Sequence, residues 1–311
     1  MIKYFTGLIP FDVDIIFSPP YKGRGWEINI ENSYKRKTHS DELEIVIYAK
    51  DHKSAKRVYD LIIASLVLSQ GEALPFRADL TPFCEEEIEK MNEVEMKAIT
   101  NPFMQTSSIP LACSIAAKAS NKAFWVYSIT KYYFSISLFS IAIMDLEPHR
   151  SRYFGVSANP YEQITMVYAT LSAYSVIEEL GLEIRASMKN PSRINGKWNE
   201  KVKQDLEIRL LKSKINITEP LVWMTRGPKR KLDNSRPLEI KSKAPWSGFG
   251  VNDSEIELID AIAYADWFRD KIIAHKVRVG LTTTIKPYDV LNIQFLSRRL
   301  LLESLGFWNA L

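Results

Sequence analysis

From Ala123 to Met144 the chain carries one charged residue, Lys131, and from Tyr161 to Ala186 a second long run is apolar on most of its faces. Runs of this length exceed any ordinary strand and read as helices. A helix that is apolar on most sides must be buried against other helices, so the spacing predicts a helical bundle. The competing reading is a membrane span. Lys131 and several serines interrupt the first run, and its uncharged part, Tyr132–Met144, falls short of the roughly 18–20 residues a span needs. We therefore expect a buried helix and no membrane association.

The rest of the C-terminal part follows the same pattern. Leu111–Ala119 and Phe124–Leu146 are expected as helices, the latter stopped by Pro148. The helix over Tyr161–Ala186 is expected to tolerate Gly181. Trp198–Lys214 shows Leu206, Leu210 and Leu211 at helical spacing. A Pro- and Lys-rich connection is expected over 216–253, then a helix over Ser254–His275. A Gly-Leu-Thr-Thr-Thr loop follows, and then a final helix with Pro287 in its first turn and Gly306 at its end. The opening differs. Tyr4–Leu8, Val13–Phe17, Trp26–Ile30 and Leu43–Tyr48 are short β-branched or aromatic runs separated by turn residues, which predicts strands. Asp51 and Ser54 supply cap chemistry for a helix through Leu68, closed by Gly71. Residues 72–108 read as irregular and acidic around Cys84-Glu85-Glu86-Glu87. The expected fold class is α+β, mainly α, with a small α/β domain over 1–105 and a helical domain over 106–311.

Composition narrows the function classes. A chain of 311 residues, 46% hydrophobic and 11% aromatic, can bury a sizeable core. Cys84 and Cys113 stand in no CxxC or zinc-ligand spacing, which argues for a reducing compartment and against a disulfide scaffold. The first residues lack the basic start, apolar centre and cleavage site of a signal peptide, so a cytoplasmic location is expected. Asp12 and Asp14 stand on one side of an expected strand, but no Gly-Ser loop precedes them to support nucleotidyl transfer. The Gly23-Arg24-Gly25 stretch reads as a turn.

The net charge of +4 is modest, so its distribution carries more information than its total. Between Arg226 and Lys243 stand Arg226, Lys229, Arg230, Lys231, Arg236, Lys241 and Lys243, against only Asp233 and Glu239. The Pro and Gly content there predicts a loop, and the charge suits a phosphate backbone. Lys197, Lys201 and Lys203 beside Trp198 form a lesser group of the same kind.

The sharpest chemical feature is Arg269-Asp270-Lys271-Ile272-Ile273-Ala274-His275. It joins a permanent cation to the side chain that exchanges protons near neutral pH. Leu258, Ile262, Ala265, Arg269 and Ile272 fall on one helical stripe, which predicts Arg269 within an apolar seam. On a straight helix His275 lies about 120° from it.

This run resembles the signature of HEPN domains, an arginine four to six residues before a histidine with a polar residue directly after the arginine. The resemblance implies a HEPN-like helical domain over 106–311 and a metal-independent endoribonuclease needing no cofactor. It further implies a homodimer whose two motifs face one cleft, in a toxin or phage-defence setting with an antitoxin or regulatory partner. The residues suit such chemistry. RNA supplies its own 2′-hydroxyl nucleophile, His275 would act as general base or acid, and Arg269 would clamp the phosphate. Asp270 would orient one of them. Arg226, Lys229, Arg230 and Lys231 would hold the RNA. Two other readings compete. One is a non-catalytic HEPN-like module binding nucleic acid or protein and dimerising. The other is a structural or sensor protein, in which Arg269 should be ion-paired within its own subunit.

Overall fold

The computed structural model of the chain describes residues 1–9, 19–32, 43–73, 82–91, 109–144, 160–195, 197–226, 229–231, 239–241, 251–270, 285 and 287–308. The fold is α+β and mainly α. Backbone proximity groups it into two compact units, Met1–Thr130 and Lys131–Leu311.

The first unit is built on an antiparallel sheet. Strands β1 (Ile2–Ile9), β2 (Tyr21–Gly23), β3 (Trp26–Asn32) and β4 (Leu43–Ala49) lead into helix α1 (His52–Gln70), β5 (Phe83–Cys84) and the short α2 (Glu85–Lys90). The sheet order is β2-β3-β4-β1-β5. Arg24 and Gly25 link β2 to β3 as a two-residue turn, with Gly25 at φ +81°. Gly23 is required for a separate reason: a Cβ there would sit 2.0 Å from the Trp26 ring. In β4, Ile45, Ile47 and Ala49 alternate onto one fully buried face. Helix α1 packs on this strand, and α3 (Ile109–Ala119) packs on α1 and β2. The Asp51 side chain accepts the Ser54 N–H at 2.7 Å, and Gly71 closes the helix at φ +78°.

The expected strands are therefore present as β1, β3 and β4, while Val13–Phe17 lies outside the described residues. The two compact units divide at Thr130, beyond the expected boundary at 105. α3 was assigned to the C-terminal domain, yet its buried Ala112, Ile115 and Ala116 complete the core of the first unit, and the division falls at Thr130. That point lies inside α4 (Ala123–Met144). Among the described residues no helix is long and apolar enough to cross a membrane.

The second unit contains the remainder of α4, then α5 (Pro160–Glu179), the small pair β6 (Arg193–Ile194) and β7 (Lys197–Trp198), and α6 (Glu200–Lys212). Next come β8 (Leu221–Arg226), β9 (Lys229–Lys231), β10 (Glu239–Lys241), β11 (Val251–Ile256), α7 (Leu258–Phe268) and α8 (Pro287–Leu305). α8 packs on α5 and touches α7, which α6 covers. Polar side chains of α8 stitch these packings together. The Gln294 amide donates to the Ser135 carbonyl and hydroxyl at 3.1 and 2.9 Å, and the Ser297 hydroxyl to the Ala173 carbonyl at 2.7 Å. Arg299, 1% exposed, is held by Glu303 at 2.7 Å and by the carbonyls of Asn216 and Pro220 at 3.0 and 3.2 Å.

Three local expectations are corrected here. Gly181 ends α5 instead of continuing it: at φ +69° it turns the chain, and Leu182 N–H reaches back to the Ile177 carbonyl at 2.9 Å. The helix expected over Ser254–His275 starts only at Leu258, because 251–256 pair with β8 from Val251↔Arg226 to Ile256↔Leu221. The connection over 216–253, read as a loop, is instead a two-stranded ribbon in its described parts. β8 and β9 lead out, β10 and β11 return, and β9 pairs with β10. Its base is rooted in the core through Leu221 and Trp223, and Trp223 meets Tyr264 edge-on at 5.0 Å.

Candidate functional site

The arginine motif begins at the exit of α7. Leu258, Ile262 and Ala265 are buried as the stripe predicts. Arg269 extends the same stripe, yet its side chain is 42% exposed. It was expected within the apolar seam and instead occupies the seam's open end. The reason is backbone geometry: the regular helix stops at Phe268, and Arg269 and Asp270 enter a wider, π-type turn.

Arg269 is surrounded by acid. Its Nη1 donates to Asp270 Oδ1 at 2.7 Å, and its Nη2 lies 3.3 Å from Glu178 Oε1 on α5. One turn earlier on α7, Asp266 accepts a hydrogen bond from the Tyr174 hydroxyl at 2.6 Å. Tyr174 and Glu178 stand at i and i+4, so α5 delivers both to the same place. Electrostatics follow from this crowding. Burial pushes the Asp266 carboxyl up to about 6, helped by Asp270 and Glu178 and opposed by the Tyr174 hydrogen bond and the Arg269 charge. Burial, then the neighbouring Asp266, also raises Tyr174. The Asp270 hydrogen bond raises Arg269, which stays a cation. Two carboxylates thus share one guanidinium, and a third carboxyl close by keeps a proton toward neutral pH. Among the described residues no three His, Cys, Asp or Glu are grouped so that they could hold a metal ion.

His275, the expected proton-transfer group, lies outside the described residues, as do Asp12 and Asp14. The residues expected to hold RNA fall on the ribbon rather than a loop. Arg226 ends β8 opposite Val251, and Lys229, Arg230 and Lys231 form β9 opposite Lys241, Ile240 and Glu239. Of the lesser basic group, Trp198 and Lys203 are engaged within the chain, while Lys197 and Lys201 are exposed. The Trp198 indole donates to Asp260 at 2.8 Å and lies under the Arg193 guanidinium at 4.7 Å, which bonds the same carboxylate at 2.9 Å. Lys203 pairs with Glu207 at 3.8 Å. Tyr174, Glu178 and Asp266 were missed. Asp266 precedes Arg269 by three helical positions and was within reach of the spacing, whereas nothing local ties α5 to the motif.

The class these observations define is an α+β, mainly α chain with an acid-ringed arginine at a helix exit and a basic ribbon. Compared with family models, curated proteins and solved structures, the chain matches none.

Proposed function

We propose that the protein is a metal-independent endoribonuclease acting through Arg269 and His275, as its resemblance to HEPN domains implies. The observation that carries this reading is the charge cluster at the exit of α7. A half-exposed guanidinium stands there beside a carboxyl that titrates near pH 6, and such perturbed groups gather at functional sites. In this scheme His275 removes the 2′-hydroxyl proton and the 2′-oxygen attacks phosphorus. The bond to the 5′-oxygen breaks, and that oxygen leaves as a hydroxyl with the proton that His275 gained. The products are a 2′,3′-cyclic phosphate and a 5′-hydroxyl. Arg269 exchanges Glu178, the longer of its two ion pairs, for a phosphate oxygen, while Asp270 keeps the guanidinium in place. Asp266 and Tyr174 position this helix exit from beneath and do not touch RNA. The proposed enzyme works as a homodimer, with an antitoxin or other regulator as its partner in the cell.

A second reading is favoured by the same ion pairs. An arginine ion-paired within its own subunit by Glu178 and Asp270 has less charge to offer a phosphate, as expected of a structural or sensor protein, and it equally suits a non-catalytic module that binds nucleic acid or protein. Cleavage of total RNA and tRNA in EDTA separates the two. The nuclease reading expects cyclic-phosphate ends from wild type and a loss of about 100-fold or more in both His275→Ala and Arg269→Ala. Intact RNA with folded wild-type protein selects the binding module. Equal cleavage by the wild type and His275→Ala removes the motif from the chemistry.

A further inference from the structure

We propose that the first unit carries a phosphate-binding face for RNA where the β2–β3 turn meets the turn between α3 and α4, with Arg24 and Lys122 at its centre. The inference rests on the reading of the protein as one that acts on RNA, and it gives the opening sheet and its helices a part in that task. All the residues concerned belong to the unit Met1–Thr130. Two stretches far apart in sequence meet there. α3 packs on β2, and the Arg24 N–H donates to the Ser120 hydroxyl at 3.1 Å. Ser120 in turn donates to the Ala117 carbonyl at 2.8 Å, which fixes the β2–β3 turn to the end of α3.

Charge is sorted at this junction. Residues 19–26 and 109–130 carry four cations, Lys22, Arg24, Lys118 and Lys122, and no Asp or Glu. All four are exposed. Lys22 has a loose partner at the edge of the group, Glu27 at 3.8 Å. Neither Arg24 nor Lys122 is ion-paired among the described residues. Lys118 stands in the last turn of α3, where a cation suits the helix dipole. Lys122 has the opposite position. It directly precedes α4, at the end where the dipole favours an anion, and the first turn of α4 supplies no acid.

A second observation lies at the same place. The Trp125 indole N–H is shut off from solvent and has no acceptor among the described residues. Buried donors are nearly always paired, and one left over marks a place for a water or an ion. The Lys122 ammonium lies over this ring, 4.7 Å from its centre, and 5.7 Å from that of Phe124. An anion accepting from the indole is therefore within reach of the ammonium on its flexible stem. Across the junction the tip of the β2–β3 turn is open, since a Cβ built at Gly25 would meet nothing within 4 Å.

The spread of the cations selects the ligand. Four cations from both sides of the junction exceed what one small anion can use, whereas a nucleic-acid backbone offers a charge at every nucleotide. A lipid surface is the competing polyanion, and it is gripped by apolar side chains that project past the cations. Here Trp26, Phe124 and Trp125 are half-buried, with Lys122 laid over two of them. Tyr127 is exposed, but it stands about 160° round α4 from Trp125. Rings set level with a cationic surface suit bases laid over them.

The test uses the full-length protein and a fluorescein-labelled RNA of about 20 nucleotides, made with 2′-O-methyl sugars so that no 2′-hydroxyl is present to attack. Anisotropy is followed from about 50 to 200 mM salt. Lys22→Gln/Arg24→Gln/Lys122→Gln should weaken binding roughly tenfold or more and reduce the salt slope by about two, with thermal unfolding unchanged. Trp125→Phe keeps a ring for Lys122 and removes the unpartnered N–H. Its stability should hold or rise while affinity falls about fivefold, a combination that a purely structural tryptophan does not give. Unchanged affinity and slope in the triple variant overturn the proposal, as does a wild type that leaves the RNA free. Tighter binding of the wild type to vesicles of phosphatidylcholine and phosphatidylserine than to the RNA, lost in the triple variant, overturns the choice of RNA. Cleavage of natural RNA is read separately. A triple variant that binds the probe like a wild type that cleaves sinks this inference alone. Binding that depends on these cations, without cleavage by the wild type, sinks the nuclease reading alone.

Discussion

Asp266 holds its proton to about pH 6 because burial makes its charged form costly and two further carboxyl groups stand nearby. The sign of the consequence is fixed by linkage. Below about pH 4 the carboxyl is protonated in both folded and unfolded chains and costs nothing. Between about pH 4 and pH 6 the native state binds a proton that the unfolded chain has lost, so stability falls as pH rises. Above that window the full cost stands. Asp266→Asn should therefore flatten this slope and raise stability at pH 8 by about 1–2 kcal/mol, since the amide oxygen still accepts from Tyr174. Urea unfolding at pH 4.5 and pH 8 checks it, and a variant whose stability parallels wild type at both values refutes it. Some of this was legible beforehand. Asp266, Arg269 and Asp270 stand at i, i+3 and i+4, a spacing that places them together on any helix. The proton on Asp266 was not legible, because it depends on Tyr174 and Glu178, brought from α5 by packing alone.

At the level of elements, α8 shows that a charged residue on a helix need not lie at the surface. Arg299 fits the last helix by spacing, yet it is buried and bonds Glu303 along the helix and two carbonyls of the 216–220 segment. Truncating it leaves Glu303, itself buried, without its cation. Arg299→Ala should cost about 3–5 kcal/mol in denaturant unfolding, and Arg299→Ala/Glu303→Ala should recover part of that loss. If the double variant is as unstable as the sum of the singles, the two do not act as a pair. The ribbon shows what a local reading misses. Pro, Gly and Lys between 216 and 253 hid the strands because local composition speaks for a loop, whereas pairing across seven to thirty-four intervening residues made strands of the described parts. Ser254-Glu255-Ile256 was claimed by the following helix for the same reason. Cross-strand partners decided its state, and no short window contains them.

For the whole molecule, each unit carries its own core. In the first, Ile28, Ile45, Ile47, Val67 and Leu68 are removed from solvent; in the second, Leu258, Ile262, Ile293, Leu296 and Leu300 are. Hydrogen exchange should accordingly find two centres of slow amides, one on β4 and α1 and one on α7 and α8. Protection confined to a single centre contradicts that picture. The mainly helical class and the small opening sheet were visible from hydrophobic periodicity, which is a local property. The division at Thr130 was not, because it falls within one continuous apolar helix where composition does not change.

Asn292 gives the ribbon one more property. Its side-chain amide accepts from the Met224 N–H at 2.8 Å and donates to the Met224 carbonyl at 2.9 Å, reproducing the two bonds a neighbouring strand would make. The free margin of β8 is thereby occupied at its centre by a side chain of the same molecule. A third strand, from a misfolded neighbour or another copy, finds no template at that register. The helix that roots the ribbon thus also closes one stretch of its edge to pairing.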